Sequence, residues 1–118
     1  MSFRNVTDSE CQVLRALVDV VPECGVSAEW FRTILVEPMD DGGMGSLRLG
    51  SRSGQPLRPI AELQFGDVDG VLVIATLYVG DDNVPHELGM WKVDFTPLIQ
   101  IPTHLPAAER YACGDDPQ

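Results

Sequence analysis

Apolar and polar positions follow two different rhythms along this chain. In "VTDSECQVLRALVDVV", residues 6–21, Leu14, Leu17, Val18 and Val21 recur at steps of three and four. That spacing puts one stripe on the face of a helix. Thr7 is a good N-cap, and Glu10 completes the Thr-x-x-Glu capping box. Pro22 and Gly25 end the segment. In "VSAEWFRTILVEPM", residues 26–39, Ser27 is placed to cap a short second helix to about Thr33, with Trp30 and Ile34 on its inner side. The residues from Ile34 to Met39 then read as extended, because Pro38 disfavours a helical Glu37 and suits an edge strand.

From there the rhythm has a period of two. "GSLRLGS" reads as a short strand, and "SRSGQPLRP" as a loop by composition. In "IAELQFG" Ala61, Leu63 and Phe65 alternate with Glu62 and Gln64. "DVDG" is a turn signal. "VLVIATLYV" is apolar on both faces, as a central strand covered on both sides would be. After the turn "GDDNVP", the stretch "HELGMWKVDF" is a further strand. Within it Trp91, Val93 and Phe95 alternate with Lys92 and Asp94, which predicts a buried Trp91 and a polar outer face. The predicted fold is therefore α+β, with one or two N-terminal helices packed on an antiparallel meander of about five strands. It occupies residues 1–101, and residues 102–118, rich in proline and charge, form a flexible tail.

Length and composition agree with a single domain. The chain has 118 residues, 44% of them hydrophobic and 22% charged, which is ordinary for a globular protein. Its net charge of −10 is not ordinary. Lys92 and seven arginines are its only basic side chains apart from two histidines. That argues against nucleic acid as a partner, since neutralising phosphates takes clustered cations. It favours a basic protein partner, which an acidic surface would steer. "MSFRNVTDSECQ" lacks the apolar core of a signal peptide, and no apolar run reaches membrane-spanning length. Cys11, Cys24 and Cys113 show no metal-type spacing and read as free thiols. A cytoplasmic location is the expectation, with no membrane association.

"MDDGGMGSLRL", residues 39–49, raises the question of a phosphate loop, a cation site or a plain turn. It has no lysine and a strand follows it, so it is neither a P-loop nor a dinucleotide fingerprint. Counting twelve residues from Asp40 or from Asp67 reaches Ser51 or Tyr78, so the closing glutamate of a calcium loop is missing. Asp-Gly and Gly-Gly supply the positive φ angles of a tight hairpin. In a meander alternate turns share one end of the sheet, so Asp40, Asp41, Asp67 and Asp69 would form an acidic rim there. Arg52 and Arg58 would meet Asp81 and Asp82 at the other end. His86 and Glu87 are neighbours on a strand and point to opposite faces, a poor acid–base dyad. Ser46 lacks a nucleophile-elbow context, and two histidines without Cys-x-x-Cys do not make a zinc site.

Two segments carry a resemblance. "DDGGMGSL" at 40–47 and "ELGMWKVDFTPLI" at 87–99 resemble the DGGMGSL and ELxxWKVDFxPL motifs of a family of small uncharacterised bacterial proteins, a domain of unknown function. "DVDGVLVIATLYV" is similar to that family's central hairpin, and the match runs over roughly residues 8–99. Gly89 stands where the family is expected to carry an acid. The resemblance implies a small single-domain protein and supplies no activity.

Two functions compete on these grounds. The first is a non-enzymatic interaction module with an acidic surface, immunity or antitoxin-like against a basic target. The second is a small-ligand or enzymatic domain with a pocket between helices and sheet. The balance leans away from an enzyme, and no cofactor or metal is expected. The residues proposed to carry function are the rim Asp40, Asp41, Asp67 and Asp69, and the strand residues Glu87, Trp91, Lys92 and Asp94.

Overall fold

The computed structural model describes residues 2–50 and 54–111. Helix α1 (Asp8–Val18) starts where the capping box places it. The Glu10 amide donates to the Thr7 hydroxyl at 3.1 Å, and the Thr7 amide donates to the Glu10 carboxylate at 3.0 Å. Val13, Leu14 and Leu17 are its buried residues. A single 3-10 turn, Pro22–Cys24, closes on Gly25 in the left-handed region. Helix α2 (Ala28–Thr33) is capped by Ser27, and the residue it buries is Phe31 rather than Trp30. The Arg15 guanidinium sits 4.3 Å from the centre of the Phe31 ring and ties the two helices together.

The strands are β1 (Arg4–Asn5), β2 (Leu35–Pro38), β3 (Leu47–Leu49), β4 (Arg58–Gly66), β5 (Leu72–Val79), β6 (Pro85–Lys92) and β7 (Glu109–Arg110). They form one antiparallel sheet in the order β1-β2-β3-β6-β5-β4-β7. The architecture is α+β, but the five-strand meander is corrected in two ways. Among the described residues there are seven strands, because two-residue strands at each edge leave no pattern to read. Only β4, β5 and β6 run as a meander, since β3 lies beside β6 and not beside β4.

The helix-covered face is a continuous apolar core. Val13, Leu14, Leu17 and Val21 meet Ala61, Leu63, Val73, Ala75, Leu77, Leu88 and Met90 there. The space between helices and sheet is filled by these side chains. The other face has no second layer among the described residues. Along β5 the inward residues are buried, while Leu72 is exposed and Ile74, Thr76 and Tyr78 are half-buried. The two-sided cover expected for β5 is therefore not what its apolar outer residues have.

The expected tail also needs correction over residues 102–111. β7 adds to β4 with Ala61 opposite Arg110 and Glu62 opposite Glu109, and the Tyr111 amide donates to the Ile60 carbonyl at 2.9 Å. Arg110 makes a bidentate pair with Glu23 at 2.9 and 2.6 Å. Backbone pairing, this ion pair and apolar contacts of Ile101, Leu105 and the buried Ala108 with the core dock a segment with no hydrophobic period. The rest of the predicted tail, 112–118, lies outside the described residues, as does Arg52. Among the described residues, no helix is long and apolar enough to cross a membrane.

Candidate functional site

The two motif segments meet at one end of the sheet. β2, β4 and β6 run in the same direction, so the turn after β2, the turn after β4 and the chain leaving β6 all emerge together. The prediction that both acidic turns share an end agrees with this placement. What their carboxylates do there differs from an open rim.

Asp41 closes its own loop, accepting from the Met44 amide at 3.1 Å and the Ser46 amide at 3.0 Å. Asp40 is exposed. Gly45 takes φ +102°, and a Cβ there would lie 3.1 Å from the Leu98 side chain. Ser46 ties the loop to β6. Its hydroxyl accepts from the Met90 amide at 2.9 Å and donates to the Met90 carbonyl at 3.3 Å. The Gly43 carbonyl accepts from the Leu98 amide at 3.0 Å. The glycine-rich motif is thus a seat for the motif that follows β6.

Asp67 and Asp69 are taken up by Lys92, which is completely buried. Its ammonium donates to Asp67 at 2.9 Å, to Asp69 at 2.6 Å and to the Pro97 carbonyl at 3.1 Å, which uses all three of its protons. Asp67 also accepts from the amides of Val68 (2.7 Å), Ile99 (2.8 Å) and Gln100 (3.0 Å). Burial alone would push the Asp67 carboxyl up, but the Ile99 amide, Lys92 and the other two amides outweigh it and hold the pKa at about 2. Burial likewise acts to lower the Lys92 pKa, and Asp69 and Asp67 more than offset it, leaving the ammonium above its ordinary value. Both groups are therefore charged across the neutral range.

This buried cluster reverses the expected facing of β6. Leu88, Met90 and Lys92 point to the helices, and Trp91 points outward, 47% exposed. A one-residue change of phase moves every side chain of a strand to the other face. The apolar run Trp91, Val93, Phe95 suggested the wrong phase because β6 ends at Lys92 and the alternation stops there. Lys92 can be the inward residue because carboxylates and a carbonyl await it.

The same cluster arranges what lies outside it. The Lys92 carbonyl accepts from the Phe95 amide at 2.8 Å, closing a turn in which Phe95 takes φ +65°. Asp94 accepts from the amide and hydroxyl of Thr96 at 3.1 and 2.6 Å. The Phe95 ring is 68% exposed, and its centre is 6.2 Å from that of Trp91. Ile74 is the cross-strand neighbour of Trp91, and the Val93 amide donates to the Leu72 carbonyl at 3.0 Å. Val68 and Ile99, held to Asp67 by their amides, are 65% and 60% exposed. Exposed apolar side chains thus surround one end of the outer face, fixed from below by a buried charge cluster.

Further along that face Glu87 lies between Arg48 and Tyr78 in register. Its burial raises the carboxyl pKa, with Arg48 acting in the opposite sense. Arg48 also pairs with the fully buried Glu37 at 3.3 Å. Tyr78 explains Gly89. A Cβ at 89 would lie 3.0 Å from the tyrosine ring, so an acid there would require the ring to give way. At the far end of the sheet Arg58 donates to Asn83 at 2.6 Å, and His86 lies 3.5 Å from Asp82. A cleft of about 260 Å³ opens beside β4, lined by Glu62, Leu63, Gln64, Pro106, Ala107 and Glu109. Among the described residues no three His, Cys, Asp or Glu side chains are grouped to hold a metal.

Of the sequence-predicted residues, the structure brings together Asp67, Asp69 and Lys92, and sets Trp91 and Asp94 on the exposed side of that cluster. Asp40, Asp41 and Glu87 stand apart. Phe95, Val68, Ile99 and Leu72 were missed, because an apolar residue in a turn looks the same in sequence whether it folds inward or outward. No curated protein and no solved structure matches the chain. A family model does match, over residues 3–102, so that both motif segments and the buried cluster lie within it while β7 lies beyond. The chain belongs to the family described as a domain of unknown function (DUF6984).

Proposed function

We propose that this protein is a non-enzymatic interaction module that binds a protein partner through the face of its sheet opposite the helices. The observation that carries this reading is the Trp91–Phe95 pair. Trp91 is about half exposed and Phe95 mostly so, and Phe95 is held in the left-handed region. A left-handed conformation costs a bulky residue on the order of 1–3 kcal/mol, and the exposed ring returns little of that to the fold. Exposed, rigidly held aromatic residues are the usual centres of protein interfaces. The net charge of −10 adds selection for a basic partner. An immunity or antitoxin-like protein that covers a basic target is one concrete form of the proposal.

The rival, a small-ligand or enzymatic domain, draws on the cleft beside β4, since apolar side chains fill the space between helices and sheet. The test is comparative capture from a lysate with the full chain and with Trp91→Ala/Phe95→Gly. The expected result is a partner identified by mass spectrometry that the wild type retains and the variant loses, with both unfolding at the same denaturant concentration. Identical capture by both would refute the reading.

A further inference from the structure

The face opposite the helices pairs its apolar end with carboxylates that no cation meets among the described residues. Glu62 and Glu109 are direct register partners on β4 and β7. Like charges placed directly opposite destabilise a sheet. Neither makes an ion pair or hydrogen bond among the described residues. Glu62 also faces Thr76 on β5, and Thr76 faces Gly89 on β6, one step along the outer face from the Ile74–Trp91 pair. Two strand spacings separate β4 from β6, about 10 Å. Trp91 and the two glutamates therefore fall within the footprint of one docked element. Asp94, next to Phe95 in its turn, adds a further exposed carboxylate. Among the described residues, the basic side chain on this face is Arg48, which Glu37 already holds.

This arrangement specifies a partner by chemistry. We infer, resting on the interaction-module reading above, that the face receives a basic protein segment that sets an aliphatic or aromatic anchor against Trp91 and Phe95 and lays arginine or lysine on Glu62 and Glu109. The apolar anchor covers area that is now in water, and the cations relieve the repulsion between the two glutamates. An arginine reaching the rings gains from their faces as well. A second copy of this chain does not fit, because it brings the same charge of −10 and sets glutamate against glutamate. Nucleic acid and anionic membranes are opposed by the same charge.

Two 12-residue amphipathic peptides, one of leucine and arginine and one of leucine and glutamate, serve as probes in 15N NMR titrations of the full chain. The leucine–arginine peptide is expected to shift the Trp91 indole and the amides of Leu72–Ile74 and Gly89–Phe95. Its affinity should fall roughly tenfold in Trp91→Ala and in Phe95→Gly, the scale of an interface anchor. It should fall severalfold in Glu62→Gln/Glu109→Gln and with added salt, and Trp91→Phe should restore part of it. The leucine–glutamate peptide should leave the spectrum unchanged. Equal binding of both peptides, no binding of either, or dimerisation in place of binding would overturn the inference. Tight binding at another surface would also overturn it, while leaving the interaction-module reading intact.

Discussion

Lys92→Met removes the ammonium while keeping most of the side chain's length and apolar stem, so it isolates the charge. The wild-type group donates three hydrogen bonds, at 2.9, 2.6 and 3.1 Å. Without it Asp67 stays buried, keeping its three amide donors. Asp69 can turn to water, because its side chain is already 35% exposed. The Pro97 carbonyl loses the donor Lys92 supplies. Breaking a buried ion pair from one side costs about 3–5 kcal/mol, and the retained amides place this case at the lower end, about 3 kcal/mol. That is a large share of a stability of about 5–15 kcal/mol, and a fall in Tm on the order of 10 °C. Urea unfolding at pH 7, followed by circular dichroism, measures it. The pH dependence supplies a second readout. With its pKa at about 2, Asp67 contributes stability that is complete above the ordinary carboxylate range and is lost as pH falls toward that value. Lys92, raised above its ordinary value, contributes stability that is complete at neutral pH and is lost only as pH climbs through its folded pKa. The wild type should therefore show a broad neutral plateau with losses at both extremes, and Lys92→Met should weaken the acid loss and remove the alkaline one. A destabilisation under about 1 kcal/mol, the range of an exposed ion pair, with an unchanged pH profile would refute the buried-cluster argument.

Three further outcomes are expected. Gly45→Ala should cost about 1–3 kcal/mol, because it forces a side chain to φ +102° and against Leu98; a thermal melt that does not move would show that the loop relaxes freely. Phe95→Gly should leave Tm unchanged or raise it, since it removes a left-handed phenylalanine whose ring is mostly in solvent, and a drop of several degrees would show that the ring packs. Deleting residues after 103 should lower stability by about 1–2 kcal/mol through loss of β7 and of the Arg110–Glu23 pair; it should also make sedimentation concentration-dependent by baring the edge of β4, and an unchanged unfolding curve with a monodisperse profile would show that the segment contributes nothing.

Local chemistry made much of this molecule legible in its sequence. The capping box at Thr7 and Glu10, the Ser27 cap, the inward set Ala61, Leu63 and Phe65, and the turn character of the two aspartate-glycine stretches all depend on neighbours a few residues away. Such interactions are written in spacing. The facing of Lys92 and Trp91 is a different kind of fact. It depends on Asp67, Asp69 and the carbonyl of Pro97, which reach Lys92 only after three strands and the segment beyond β6 have assembled. Pattern alone assigns a lysine outward and a tryptophan inward, because burying an unpaired charge is costly. Tertiary structure reversed both by supplying partners for the charge. The edge strands β1 and β7 and the placing of β3 beside β6 were equally hidden, since pairing of two residues through backbone bonds asks nothing of side-chain pattern. The exposed face around Trp91 and Phe95 belongs to this second class. Its residues are apolar in any reading of the chain, and only the folded structure decides that they stand exposed.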